Sequence, residues 1–321
     1  MPHGQFPARL EPVGPGSYAY VVGIGSWHQS NSGLVTSNGA SLVVDTLITP
    51  GMTRRMLAEM ARAEAAAGHV DVLVNTHGDG DHFWGNQLLA SSRIVATTRA
   101  ARDMRGAATP PQIEALIAAE ATDDGRGDFL RNFFAGLDFT DLVPTFPTET
   151  FDGSLTVTVG DKTVELIEVG PAHTQGDLMV FVPGDRVLFA GDILFSSGHP
   201  AVWSGPFQNW IDVCARITRM EVDAIVPGHG PVTTREKVAE FRSYLEDVRE
   251  QSTVLHERGL GVDEAARVID LTRYADWIDG ERILINIDAV YRELDGRGDP
   301  DRLDIFHRLS AFVAEMRSRA S

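Results

Sequence analysis

One stretch constrains this chain more than any other: Asp71-Val-Leu-Val-Asn-Thr-His77-Gly78-Asp79-Gly80-Asp81-His82-Phe-Trp-Gly-Asn86. A run of apolar, β-branched residues predicts a strand, and it ends abruptly in four metal-capable side chains within six positions. The glycines at 78 and 80 let the backbone fold tightly, so His77, Asp79, Asp81 and His82 can converge on one point. Imidazole and carboxylate together suit zinc, iron or manganese. The stretch reads as the centre of an active site with the rest of the chain as its support.

The surrounding pattern supplies strands and helices in alternation. Residues 1–15, punctuated by Pro and Gly, read as an arm. Strands are expected at Ser17–Gly23, Leu34–Thr36 and Ser41–Asp45, the last two joined through Asn38-Gly39, a strong hairpin signal. A helix follows at Thr53–Ala67 with Gly68 as its stop, then the strand Val70–Asn75, a helical turn at Phe83–Ala90 and a strand at Arg93–Thr98. Residues 99–141 read as a helical insertion of three weakly amphipathic pieces. They surround Thr109-Pro-Pro111 and Asp123-Asp-Gly-Arg-Gly127, with Phe129, Leu130, Phe133 and Phe134 as an apolar group. The insertion either covers the site or is an ordinary packing segment. From Phe151 strands return at Leu155–Val159, Thr163–Val169, Leu178–Val182 and Val187–Phe189, followed by a helix at Pro206–Met220 and a short strand at Ala224–Val226. Beyond Thr233 the pattern is helical at 234–257, 262–268, 281–294 and 302–319.

Three later stretches carry further metal-capable residues, each at a strand end beside glycine. They are Gly170-Pro-Ala-His173-Thr-Gln-Gly-Asp177, Leu188-Phe-Ala-Gly-Asp192-Ile and Ile225-Val-Pro-Gly-His229-Gly-Pro231. Each histidine alone is weak evidence, because a single loop histidine is more often structural. Together they gain weight, since strands of one sheet system bring their ends to a common edge.

Charge and composition exclude several classes of function. The formal charge is −17, from 45 acidic against 28 basic residues, which argues against nucleic acid or an anionic membrane as a partner. No run approaches the 18 or so apolar residues of a membrane span, and the start lacks an apolar signal region, so a soluble, cytoplasmic protein is expected. Cys214 is the only cysteine and sits in an apolar pattern, which reads as a small buried hydrophobe rather than a nucleophile.

The order His-x-Asp-x-Asp-His, then His, then Asp, then Gly-His-Gly resembles the signature of the metallo-β-lactamase superfamily of metallohydrolases, over roughly residues 15–235. The resemblance implies an α/β fold, a four-layer αββα sandwich, with a two-metal site at one edge where the two sheets meet. On that reading residues 1–235 form the catalytic core, carrying the insertion at about 99–141, and 236–321 form a helical C-terminal extension packed on it. The extension closes one side of the pocket or forms a homodimer face. The resemblance further implies that one metal is held by His77, Asp79 and His173, and the other by Asp81, His82 and His229, with Asp192 bridging both. Asp81 would also accept a proton from the attacking water. The commonest form of the signature has His where Asp79 stands. The implied cofactors are therefore two divalent ions, zinc in the first place, with manganese or iron also suited to the harder carboxylate. Thr76, Asn86 and Asp177 are candidates for orienting the imidazoles, or are cap and turn residues.

Trp27, His28, Trp84, His199, Trp203 and Phe207 are the candidate substrate contacts. Aromatics around a metal site suit a large apolar or aromatic small molecule, although they also pack loops together. The expected function is a hydrolase using a metal-activated water on an ester, thioester or lactone. The helical tail and aromatic loop resemble the aromatic-polyketide cyclase/thioesterase branch, whose substrates are free or carrier-protein-bound. The alternative is an iron-dependent oxidoreductase or dioxygenase of the same superfamily, favoured by Asp79.

Overall fold

Alternation along the strands divides the interior into three apolar layers. In the computed structural model, which describes residues 6–107, 109–119 and 126–320, twelve strands are found among the described residues. They are β1 (Ala8–Gly14), β2 (Ser17–Val22), β3 (Ser32–Ser37), β4 (Ala40–Val44), β5 (Val72–Val74), β6 (Arg93–Thr97), β7 (Glu149–Phe151), β8 (Ser154–Val159), β9 (Lys162–Glu168), β10 (Leu178–Val182), β11 (Val187–Phe195) and β12 (Ala224–His229). One sheet runs β1-β2-β3-β4-β5-β6-β7, antiparallel as far as β4 and parallel from β4 to β7. The other runs β12-β11-β10-β9-β8, with β12 parallel to β11 and the rest antiparallel.

Side chains on successive residues of a strand point to opposite faces. Val72 and Val74 of β5 and Val187 and Phe189 of β11 therefore meet between the sheets. Leu73 points instead to an outer layer, and Leu188 and Ala190 to the opposite one. Helices cover both outer faces: α1 (Pro50–Ala63), α2 (Gly80–Phe83), α3 (Thr98–Gly106), α4 (Pro110–Ala119) and α5 (Arg126–Phe133), then α6 (Phe207–Ile217), α7 (Arg235–Glu257), α8 (Val262–Val268), α9 (Ile283–Asp295) and α10 (Arg302–Ala320). Helix α1 starts where Thr49 accepts from the Met52 amide, with Pro50 in its first turn, and it buries Met52, Met56 and Met60 one turn apart. Burying each such side chain stabilises the layer by about 1.5–3 kcal/mol. On the other side α6 and α7 lay Trp210, Cys214, Phe241, Tyr244 and Leu245 against the second sheet, joined by Ile305, Leu309 and Phe312 of α10. The four-layer αββα sandwich expected from the sequence is the fold of this chain.

The structure corrects three local readings. Residues 8–14 of the expected arm pair with β2 as an edge strand, a segment whose half-exposed pattern gave no alternation to read. β7 is only three residues long and pairs with β6. β11 continues to Phe195, with irregular pairing to β12 around Gly191. Asp192 lies in that irregular stretch, where β-bulges and kinks re-aim side chains. Residues 1–5 and the turn at Asp123, Asp124 and Gly125 lie outside the described residues, as does the side chain of Leu130. Among the described residues no helix is long and apolar enough to cross a membrane.

Candidate metal centre and its cavity

The site is assembled from strand ends. β5 delivers His77, the short α2 carries Asp81 and His82 with Asp79 at its cap, and the β9–β10 loop supplies His173. Asp192 comes from β11 and His229 from the last residue of β12. Glycine is required here by close approach. A Cβ on Gly78 would meet Asp103 Cβ at 2.7 Å, and one on Gly228 would meet Asp192 Oδ1 at 1.8 Å.

All seven residues converge. Asp192 Oδ1 lies 3.1 Å from His82 Nε2, while its Oδ2 lies 3.4 Å from both His173 Nε2 and His229 Nε2 and 3.8 Å from His77 Nε2. Asp79 Oδ2 is 3.1 Å from His173 Nε2 and 4.0 Å from His77 Nε2. Asp81 Oδ2 is 3.4 Å from His229 Nε2 and 3.8 Å from His82 Nε2. The atoms form groups able to hold a metal ion: His77–Asp79–His173, Asp81–His82–His229, and His77–His82–Asp192 between them.

Two observations test the fit of cations to this cluster. Among the described residues, His77 Nε2, His82 Nε2 and Asp192 Oδ1 are buried without a hydrogen-bond partner of good geometry, a costly state for polar atoms. The opposite ring nitrogens are occupied. His82 Nδ1 sits 2.9 Å from Asp45 Oδ2, and His77 Nδ1 sits 3.0 Å from Thr76 Oγ1, whose hydroxyl donates to Asp45 Oδ2 at 2.7 Å. His173 Nδ1 donates to the Ala201 carbonyl at 2.5 Å. With protons placed on Nδ1, each Nε2 lone pair is free for a cation. The charge agrees: burial alone would lower the His229 pKa, but Asp192 and Asp81 outweigh it and raise it to about 9. Three clustered carboxylates call for positive charge, and the chemistry of the donor set fits divalent ions.

Asp45 is the partner that sequence reasoning missed. It directly follows β4 in a left-handed conformation (φ 60°) and also accepts from the Thr76 amide at 2.7 Å. Its one signal is an acid closing an apolar strand, which reads equally well as a turn residue. Of the three proposed orienting residues, only Thr76 touches a ligand-capable ring. Asn86 bonds Thr46, Asn75 and the Thr145 carbonyl, and Asp177 caps the loop at Thr174.

A cavity of about 670 Å³ opens over the cluster. Trp27, His28, Trp84 and Trp203 line it. His199 and Phe207 do not: both are buried in the outer layer, His199 against Tyr244 at 2.9 Å and Phe207 at the start of α6. Phe133, from the apolar group of the insertion, and Phe306, not singled out from the sequence, complete the wall. Phe133 of the insertion lies 5.0 Å from Trp27 and 5.3 Å from Phe306 of α10, which in turn lies 5.9 Å from Trp203 (ring centroids). These four rings, from four separate segments, form a continuous aromatic ladder. Trp203 Nε1 donates to Asp79 Oδ2 at 3.1 Å, and Arg302 stacks over Trp203 at 4.7 Å. The loop carrying Trp203 is held from behind by α9, where Arg292 Nη2 donates to the Trp203 carbonyl and Asn286 Oδ1 accepts from the Val202 amide. Cys214 is fully buried, and burial pushes its thiol pKa up, as expected for an inert core residue.

Comparison with known proteins agrees with this architecture. The chain is 24% identical over 276 residues to the Beta-lactamase-like protein 2 homolog of Caenorhabditis elegans, covering 83% of this chain and 78% of that one. It is 31% identical over 205 residues to the 2,4-dinitroanisole O-demethylase subunit alpha of Nocardioides sp. (strain JS1661), covering 62% and 52%. Among solved structures it superposes on the sec-alkylsulfatase Pisa1 from Pseudomonas sp. with a TM-score of 0.65 at 15% identity, over 93% of this chain and 52% of that one. It superposes on a metallo-beta-lactamase from Pontibacter korlensis with a TM-score of 0.55 at 17% identity, over 75% and 99%. The chain thus spans about half the length of the demethylase subunit and the alkylsulfatase. These solved structures share its fold. The family model of the Metallo-beta-lactamase superfamily matches residues 25–229, more than half of the sequence, and the chain belongs to that superfamily.

Proposed function

We propose that this protein is a dinuclear metal-dependent hydrolase that cleaves an ester, thioester or lactone whose acyl part is aromatic or apolar. The observation that carries the reading is Asp192, whose carboxylate lies within 3.1–3.8 Å of all four imidazole Nε2 atoms. His77, Asp79 and His173 would hold one ion, and Asp81, His82 and His229 the other, with Asp192 shared. Such a pair supplies Lewis acidity that activates water at neutral pH and polarises an acyl group.

The chain's own residues supply the rest. Asp81, whose Oδ2 lies 3.4 Å from His229 Nε2 and 3.8 Å from His82 Nε2, would stay a carboxylate beside the two cations and could accept a proton from the attacking water. Asp45 and Thr76 hold His82 and His77 with their Nε2 atoms inward. The ladder Trp27–Phe133–Phe306–Trp203 offers flat apolar surface for the acyl group. Aromatic polyketide esters, free or on a carrier protein, are one substrate class that this wall would accept.

Metal content of the purified protein, measured with turnover of an ester, thioester and lactone panel, tests the reading. Two zinc or manganese ions per chain with chelator-sensitive cleavage are expected. Iron with oxygen consumption and no cleavage would instead favour an oxidoreductase, the reading for which the Asp79 carboxylate speaks.

A further inference from the structure

The aromatic end of the cavity holds a polar side chain whose Nε2 no group among the described residues pairs. His28 is 9% exposed, lines the cavity, and its Nε2 has no hydrogen-bond partner. Its ring packs edge-on against Phe133 at 4.1 Å and stacks on Phe134 at 5.3 Å. Its backbone is left-handed (φ 60°), a strained state for a residue with a side chain, which persists only where the surroundings impose it.

The surroundings do impose it. On one side of His28, Ser30 Oγ donates to the Asp81 carbonyl, and Asn31 Nδ2 donates to the carbonyls of Pro227 and Gly230. These bonds lock the loop to the segments that carry Asp81 and His229. On the other side, Ser26 Oγ donates to Asp279 Oδ1 and Trp27 Nε1 to Glu281 Oε1, while the buried Arg282 stacks on Trp27 at 3.9 Å. A strained residue fixed from both sides, with one unmatched nitrogen in a cavity wall, is better explained by a ligand than by the fold.

The ligand's chemistry follows from the ring. Burial is the main influence on its pKa and pushes it down to about 4, so the imidazole is neutral at pH 7 and offers one donor or one acceptor. A hydroxyl complements either tautomer, whereas a carbonyl complements only one. The flanking phenylalanines favour a flat apolar body around that hydroxyl. We propose that His28 is a specificity-determining residue that hydrogen-bonds a ring hydroxyl of an aromatic acyl substrate. This deepens, and rests on, the hydrolytic reading of the same site.

The test uses the metal-loaded protein and 4-nitrophenyl esters of 2-naphthoic acid and of its ring-hydroxylated isomers. Water cleaves the acyl C–O bond: the acyl carbon takes the hydroxyl, the remaining proton passes to solvent, and 4-nitrophenolate leaves and is followed. For at least one hydroxylated ester, His28→Phe should lower kcat/KM at least tenfold more than for the unsubstituted ester. His28→Gln, which keeps a donor and an acceptor, should recover part of that difference. Equal loss on every ester, or no loss, would overturn the proposal. If the Phe variant does not fold, His28→Leu, which also lacks a donor and an acceptor, is judged by the same comparison. Binding of the corresponding free naphthoic acids needs no turnover. A wild type that hydrolyses none of the esters would sink the hydrolytic reading alone. Failure of His28 variants to lose hydroxyl discrimination in binding would sink the assignment of His28.

Discussion

Arg302 Nη1 lies 2.5 Å from Asp79 Oδ1, so the first residue of the last helix touches the metal-capable cluster. The same Asp79 takes the Trp203 indole N–H and faces His173 through its other oxygen. The C-terminal helices are therefore part of the site's electrostatics as well as of the core. Arg302 offsets the carboxylate charge and repels a cation held beside it.

Removing that guanidinium should strengthen metal binding at one of two positions. Unit charges 4 Å apart interact by about 4 kcal/mol at an effective dielectric of 20. Arg302 is 41% exposed, so solvent screening leaves only a fraction of such a term. Arg302→Gln is expected to tighten one metal equivalent about tenfold and leave the other unchanged, as read by competition with a chelator. Trp203 and His173 still fix Asp79 in the variant, so weaker binding would contradict this role.

Asp45→Asn should weaken both equivalents. Asp45 supports His82 directly and His77 through Thr76, and losses of such partners typically cost about 10–100-fold in metal affinity. Asparagine tolerates the left-handed backbone at this position, so the melting temperature of the metal-free variant should move little. Unchanged affinity in a folded variant would remove Asp45 from the site.

Gly228→Ala probes the approach of β12 to β11. The added methyl would overlap Asp192 Oδ1 and come within 2.8 Å of the Asp192 amide nitrogen. Overpacking of this kind costs about 1–3 kcal/mol, and the shared carboxylate must shift. The expected outcome is a folded protein with a lowered melting temperature and less than half the wild-type metal content.

Acid sensitivity should depend in part on His199. Burial first, and then Arg282, push its pKa down to about 4, against an ordinary 6.5. Between those values the unfolded chain binds a proton that the folded chain refuses, so stability falls as pH drops from 6.5 towards 4. Below 4 both states carry the proton and the loss is complete, at about 3 kcal/mol. In chelator-treated protein, His199→Gln should show a shallower fall of melting temperature over this range than wild type. An identical slope would mean that the ring is not held neutral.

What was legible in the sequence follows from the range of the interactions involved. Strands buried on both faces, such as Val187–Phe189, and helices with a one-turn stripe such as Met52–Met56–Met60 carry their periodicity locally. So does the cluster from His77 to His82, because glycine and paired ligand types fall in one short segment. β1 and β7 were hidden because edge strands that are half-exposed or three residues long leave no pattern. Asp45, Arg302 and Phe306 were hidden for another reason. Their roles are set by sheet pairing and by the docking of a helix more than 200 residues away from Asp79, and neither leaves a local mark. His199 was misplaced on the same account, since only the fold shows Tyr244 claiming its ring.

On the proposed reading one carboxylate, Asp192, joins two cation sites. Metal-to-protein stoichiometry by elemental analysis of wild type, Asp192→Ala and His82→Ala decides this, with circular dichroism confirming that each variant is folded. The prediction is two ions per wild-type chain, a marked loss in both variants, and no detectable ester cleavage by either. Full metal content or full turnover in a folded Asp192→Ala protein would contradict it.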